Sequence, residues 1–183
     1  MLTIITGSER KKGEIKKYID GRVEYKFISH DLEEIQGSAQ EIIKNKVYAA
    51  YEIVKGPVVV EDYSLYIDLL CGFPGPYVKS LLLNGELGEI VSNLSPLGKI
   101  SCTAECLYGY IDKNNKYHLF STKEQGYLMP SKENTSGLFG VDMLLVPKGA
   151  DKPFFYLTEQ EKDERSIRRK TINKLIEHLQ NEE

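Results

Sequence analysis

Cysteine is scarce in this chain of 183 residues. Its three thiols, Cys71, Cys102 and Cys106, are odd in number, and the last two stand four apart in a β-rich stretch. Strand rise would hold that pair about 13 Å apart, too far for a disulfide and without zinc-type spacing. All three are expected as buried, reduced thiols. Tryptophan is absent, and there is no internal repeat, low-complexity tract or clear linker. No apolar run approaches the length of about 18 residues that a membrane helix needs. The first short apolar segment is followed directly by Glu9, Arg10, Lys11, Lys12 and Glu14, so neither a signal peptide nor a membrane span is expected, and the expected location is cytoplasmic. An excess of one charge is lacking too: 24 Lys and Arg stand against 27 Asp and Glu, and a net charge of −3 excludes a general attraction to nucleic acid or to an anionic membrane. Any polyanion bound here must meet a local basic cluster.

What is present is the composition of a globular protein, 41% hydrophobic and 28% charged, in a chain long enough to bury a core without disulfides or metal. Leu2 to Thr6 reads as a strand, Gly7-Ser8 as a turn and Glu9 to Tyr18 as a polar helix, the start of an α/β unit. A strand is expected over Val23 to Ser29. Ser38 with Glu41 forms a capping box, and Ile43, Val47, Ala50 and Val54 recur at helical spacing until Gly56-Pro57 stops the helix. The valine run Val58-Val59-Val60 does not alternate, as expected of a central parallel strand covered on both faces, and it is expected to end in Glu61-Asp62. A turn-rich stretch from Gly72 to Tyr77 leads into a helix over Val78 to Asn93. Paired strands are expected over Ile100 to Asp112 and Tyr117 to Leu128, then a loop from Phe139 with a short strand over Met143 to Val146, and a closing helix striped by Ile172, Leu175, Ile176 and Leu179. The pattern predicts an α/β fold of two lobes with a cleft between them.

Two strand ends carry candidate chemistry. In open α/β sheets ligands gather at the carboxyl ends of strands, which here are Thr6-Gly7-Ser8 and Glu61-Asp62. The first, leading into a helix, offers backbone N–H groups to a phosphate, with Lys11 one turn on; it is equally the form of a plain strand-to-helix connection. At the second, alternation sends one acid to each face, and Asp62 is a candidate metal ligand or base, against the alternative of a solvated strand end. Glu33 and Glu34 precede the capped helix, where they serve a metal or simply the helix dipole. On the closing helix, at about 100° per residue, Arg168 falls in phase with the apolar stripe and Ile167 nearly opposite. An inward cation near a helix start is accounted for by a facing anion or polar ligand, or by snorkelling past the core. Arg165, Arg169 and Lys170 widen the basic cluster.

In order along the chain, Thr6-Gly7-Ser8-Glu9-Arg10-Lys11-Lys12-Gly13-Glu14 resembles T-G-N-x-x-K-x-x-E, and Asp31-Leu32-Glu33-Glu34-Ile35-Gln36-Gly37 resembles D-L-x-E-x-Q-G. The run from Gly56 through Glu61-Asp62 to Leu65, with Gly72 to Lys79, is similar to V-x-E-D-x-x-L and G-x-P-G-P-Y-x-K. These are motifs of the inosine triphosphate pyrophosphatase family, the non-standard purine nucleoside triphosphate pyrophosphatases. The resemblance implies one domain over residues 1–183: an elongated, two-lobed α/β fold with a mixed sheet, helices on both sides and a central cleft. It also implies a homodimer and Mg²⁺-dependent hydrolysis of ITP, XTP and dITP to the monophosphate and pyrophosphate. By the same resemblance Thr6, Gly7, Ser8 and Lys11 hold the triphosphate, with Lys46 and Lys79 as further basic positions. Glu34 and Asp62 act around the metal, and Asp62 activates water. Phe139-Gly140-Val141-Asp142 resembles the base pocket F-G-[WY]-D, and Glu161-Lys162 with Ser166-Ile167-Arg168 resembles E-K-N-x-x-S-H-R, giving Lys162 and Arg168 substrate roles.

Such chemistry needs charge neutralisation and a positioned water more than a nucleophilic side chain, so His30, His118 and His178 are expected on the surface. The departures from the motifs are Ser8 for Asn, Val141 for an aromatic, Ile167 for His and Asp163 for Asn. Two lie where the base is read, so a relaxed or shifted base preference is expected. They also motivate an alternative, a non-catalytic nucleotide-binding or sensor paralogue. A nucleic-acid module built on the C-terminal basic cluster is disfavoured by the net negative charge and the lack of interleaved aromatics.

Overall fold

A computed structural model describes residues 1–133 and 140–181. In chain order the strands and helices are β1 (Leu2–Ile5), α1 (Glu9–Ile19), β2 (Tyr25–Ile28), α2 (Ala39–Val54), β3 (Val58–Ile67), β4 (Pro74–Gly75), α3 (Val78–Leu83) and α4 (Glu86–Leu94). They continue with β5 (Ile100–Ile111), β6 (Tyr117–Leu128), α5 (Gly140–Leu144), β7 (Leu145–Pro147), α6 (Glu159–Arg165) and α7 (Ile167–Asn181). One mixed sheet runs in the order β2-β1-β3-β5-β6-β7, with β4 also on β3. β1 lies parallel between β2 and β3, pairing Leu2 with Tyr25 and Ile4 with Val59. That central place explains why β1 is buried on both faces. The mixed α/β fold expected from the sequence is therefore present. Among the described residues no helix is long and apolar enough to cross a membrane.

The chain divides into two compact units. The first holds Met1–Asp62, Cys106–Thr122 and Arg168–Glu183; the second holds Tyr63–Glu105 and Lys123–Ile167. In the first, Ile43 and Val47 of α2 pack with Val58 and Val60 of β3 and Leu107 and Ile111 of β5. The Ser38 capping box sets the start of α2, its Oγ accepting from the Glu41 N–H at 3.3 Å while the Ser38 N–H donates back to Glu41 at 2.8 Å. In the second, Leu65 and Ile67 of β3 pack with Val78, Leu87, Val91, Val141 and Leu144.

Several expectations change. β3 does not end in Glu61-Asp62: it continues to Ile67 and both acids are buried inside it. The helix expected over Val78 to Asn93 is two, because Gly85 at φ 77° takes the left-handed conformation that other residues avoid. The region after residue 139 opens as the short helix α5, and its strand starts at Leu145 rather than Met143. β2 is shorter than Val23 to Ser29. Cys71 is exposed while Cys102 and Cys106 are buried as free thiols. Only His30 is exposed. The rings of His118 and His178 lie 4.4 Å apart beside Phe120, with His118 Nε2 2.7 Å from Asp112 Oδ2. Aromatic packing and a buried carboxylate leave these two rings half-buried.

Candidate active site

The first unit brings an unusual density of charge to the middle of β3. Alternation places Glu61 on the face of Val59, and Asp62 on the face where Val58 and Val60 meet α2. Each acid finds its cation on a helix. On the α2 side, Lys46 is itself buried; its Nζ donates to Glu34 Oε1 at 3.0 Å and lies 3.6 Å from Asp62 Oδ1. Asp62 Oδ2 is buried without a hydrogen-bond partner. Burial pushes the Asp62 carboxyl above its usual range, and Glu61 and Glu34 add to this, while Lys46 and Lys11 pull the other way.

Lys11 comes from the first turns of α1. Ser8 caps this helix, its Oγ accepting from the Lys11 N–H at 3.3 Å, and the Ser8 N–H donates to Thr6 Oγ1 at 3.2 Å. Ser8, in place of the motif's Asn, thus supplies a working cap. At Gly7 a Cβ would stand 2.1 Å from Asp31 Oδ1, so the Asp31 side chain, on the loop that leads to Glu34, lies against the opening turn. The Lys11 ammonium is 2.8 Å from Glu61 Oε2 and donates to the Glu61 carbonyl at 3.3 Å. Burial works against the Lys11 charge, but Glu61 and Asp62 outweigh it and its pKa is raised.

Arg168 lies on the buried stripe of α7 with Thr171, Ile172, Leu175 and Ile176, as the helical phase requires. The anion that faces it belongs to the chain itself. Its Nε and Nη2 donate to Glu61 Oε1 at 3.2 Å each, and its Nη1 pairs with Glu14. Burial, with Arg10 nearby, draws the guanidinium down to about 9, still above neutrality, so the pairs remain ionic. Cys106 Sγ lies 3.6 Å from Glu61 Oε1, and burial beside that carboxylate pushes the thiol well above its usual value, which keeps it un-ionised. Glu61 and Glu14 carry no role in the sequence motifs beyond their place: alternation sets Glu61 on the face opposite Asp62, but no sequence signal names its partners.

Thr6, Gly7, Ser8, Lys11, Glu34, Lys46, Asp62 and Arg168 all belong to the first unit. In the second, Lys79 is exposed on α3, Gly140 is buried and Asp142 half-buried in α5, and Lys162 of α6 pairs with Glu159 at 3.2 Å. Val141 is part of the apolar core there, and Ile167 packs against the same core. Phe139 lies outside the described residues. Among the described residues no group of three or more His, Cys, Asp or Glu could by itself hold a metal. A cation such as Mg²⁺, which keeps several waters and takes one or two carboxylates with phosphate oxygens, needs no such cage; the unpartnered Asp62 oxygen and Glu34 fit that demand.

The fold and this arrangement define an α/β protein whose central strand presents a buried carboxylate between lysines, a site suited to a polyanion and a hard cation. The sequence model of the Ham1 family matches residues 2–178, and the chain belongs to that family. An inosine triphosphate pyrophosphatase from Schizosaccharomyces pombe is 33% identical over 182 residues, covering 99% of this chain and 96% of the relative. Inosine triphosphate pyrophosphatase 1 of Trypanosoma cruzi is 31% identical over 180 residues, covering 97% and 91%. Among solved structures, a HAM1 protein from Coxiella burnetii has a TM-score of 0.80 at 20% identity, covering 99% of this chain and 100% of that one. The Staphylococcus aureus Ham1 protein has a TM-score of 0.76 at 23% identity, with the same coverage. At these identities the two structures establish the fold.

Proposed function

We propose that this chain hydrolyses non-standard purine nucleoside triphosphates, ITP, XTP and dITP, to the nucleoside monophosphate and pyrophosphate in a Mg²⁺-dependent reaction. The observation that carries the reading is Asp62: a buried carboxylate with one unpartnered oxygen, its other oxygen 3.6 Å from Lys46, in a Ham1-family chain. Bound Mg²⁺ would supply charge neutralisation on the phosphate oxygens, held by Asp62 and Glu34. Asp62 also orients a water toward the α-phosphorus and takes its proton. As the new P–O bond forms, the bond to the bridging oxygen breaks and pyrophosphate leaves.

Lys11 and the Thr6-Gly7-Ser8 turn hold the triphosphate at the start of α1, where backbone N–H groups and the helix dipole favour an anion. Lys46, Lys79 and Lys162 are further phosphate-side cations. Phe139, Gly140 and Asp142 are proposed as base-contacting residues and Arg168 as a further substrate residue, each by its match to the family motifs, and a homodimer is the proposed assembly.

Pyrophosphate release from ITP, XTP, dITP, GTP, ATP, CTP and UTP, with Mg²⁺ and with chelator, tests the proposal, the nucleotide product being identified by chromatography. Metal-dependent monophosphate from ITP or XTP is the expected result. Tight binding by calorimetry with no turnover of any nucleotide would favour the non-catalytic sensor instead. Val141 and Ile167, which replace the base-side aromatic and histidine, are the residues that favour that second reading.

A further inference from the structure

We infer that Glu61 is a positioning residue, a single buried carboxylate that aims Lys11 at the substrate and ties it to Arg168. The inference rests on the function proposed above. Three contacts carry it. The Glu61 side chain is 1% exposed, and its Oε2 lies 2.8 Å from the Lys11 ammonium. The Glu61 carbonyl accepts from that same ammonium at 3.3 Å, so one residue holds it from side chain and main chain together. Glu61 Oε1 accepts from both Nε and Nη2 of Arg168 at 3.2 Å.

A lysine ammonium is a point charge on a flexible stem with three N–H donors. One N–H is donated to the Glu61 carbonyl, and Glu61 Oε2, which takes no hydrogen bond, holds the same ammonium by charge at 2.8 Å, so the position of the ammonium is set from two points of one residue. The site of that ammonium is set by the residue that directly precedes Asp62, so the phosphate-side cation and the candidate base are registered through one peptide of β3. The guanidinium of Arg168, held along one edge by Glu61 and at its other end by Glu14, is likewise fixed in orientation. A buried carboxylate is expensive to desolvate, and a fold that needed only packing here would be served as well by an apolar side chain. Cys106, another close neighbour, is an un-ionised thiol and cannot replace either cation.

The test is a double-mutant cycle in kcat/KM for ITP using Lys11→Met, Glu61→Gln and the double variant, each confirmed folded by circular dichroism and thermal melting. If Glu61 acts through Lys11, the losses do not multiply: about 100-fold for Lys11→Met, about 30-fold for Glu61→Gln and still about 100-fold for both. A double variant near the product of the two losses, or a Glu61→Gln protein at the wild-type rate, overturns the inference. If Glu61→Gln fails to fold, Glu61→Asp, which keeps the charge but retracts it by one methylene, is taken through the same cycle. Wild-type silence on every nucleotide would instead overturn the proposed function. The cycle is then read on the dissociation constant for inorganic triphosphate by calorimetry: weakened, non-multiplying binding upholds Glu61 as the holder of Lys11. Multiplying losses, or no triphosphate binding at all, overturn it.

Discussion

Glu105 in the second unit and Glu61 in the first are both strand glutamates whose side chains are at most 3% exposed, but they are buried in different company. Glu105 takes a hydrogen bond from the Tyr66 hydroxyl at 2.9 Å, and its ionic partner Lys123, 3.5 Å away, is largely exposed. Glu61 faces Lys11 and Arg168, both mostly buried, and its neighbour Asp62 keeps an oxygen without a partner. The first pattern satisfies a carboxylate and stops there. The second concentrates desolvated charge beyond what folding requires, and such concentrations mark sites that act on charged ligands.

The sharpest way to break this comparison is Asp62→Asn. It should lower ITP turnover by about 10³-fold or more, since it removes the proton acceptor. In metal-free buffer it should raise the melting temperature, because a buried charge with an unsatisfied oxygen becomes neutral. A variant that keeps a substantial fraction of the wild-type rate would remove Asp62 as the key carboxylate. Gly7→Ala is next: the added methyl group turns the exposed Asp31 carboxylate aside and itself stands on the phosphate-side turn. We expect kcat/KM to fall about 10-fold through the methyl group crowding bound phosphate; unchanged kinetics would mean that the turn does not contact substrate.

Smaller effects sharpen the contrast. Ile167→His should raise the ratio of ITP to ATP turnover about 5-fold, the size of one added hydrogen bond. An unchanged ratio would show that position 167 does not read the base. Tyr66→Phe, on the Glu105 side, should lower stability to denaturant by about 1 kcal/mol and leave kcat/KM for ITP unaltered; a kinetic defect without a stability change would undo the distinction between the two glutamates. The smallest effect concerns Asp112. Burial works against its ionisation, but His118 and the N–H groups of Lys116 and Asn114 outweigh this and hold the carboxyl below its usual value. A depressed folded-state pKa contributes stability above the unfolded value of about 3.9 and loses it as pH falls. The stability gap between wild type and Asp112→Asn should therefore narrow as pH falls below about 4; a gap that widened over that range would reverse the sign.

Local rules carried the reading of the sequence a definite distance. The Ser38 capping box, the Glu9 helix start and the inward phase of Arg168 each rest on spacing within a turn or two, and each is present. The continuation of β3 past Glu61-Asp62 is not legible locally, because two adjacent acids look like solvent exposure when nothing along the chain shows which helices cover them. The break at Gly85 was missed because a helical apolar pattern continues across it.

The sequence by itself determined the α/β order of elements and the assignment of Glu61 and Asp62 to opposite faces of one strand, because these follow from periods of two and 3.6 residues; the family motifs it carried as a resemblance in the order of its residues. Only the tertiary structure decided what each face meets. Glu61 is bound to a lysine 50 residues before it and an arginine 107 residues after it. A charge becomes strong through loss of water and the approach of distant partners, and neither is a property of neighbouring residues along the chain.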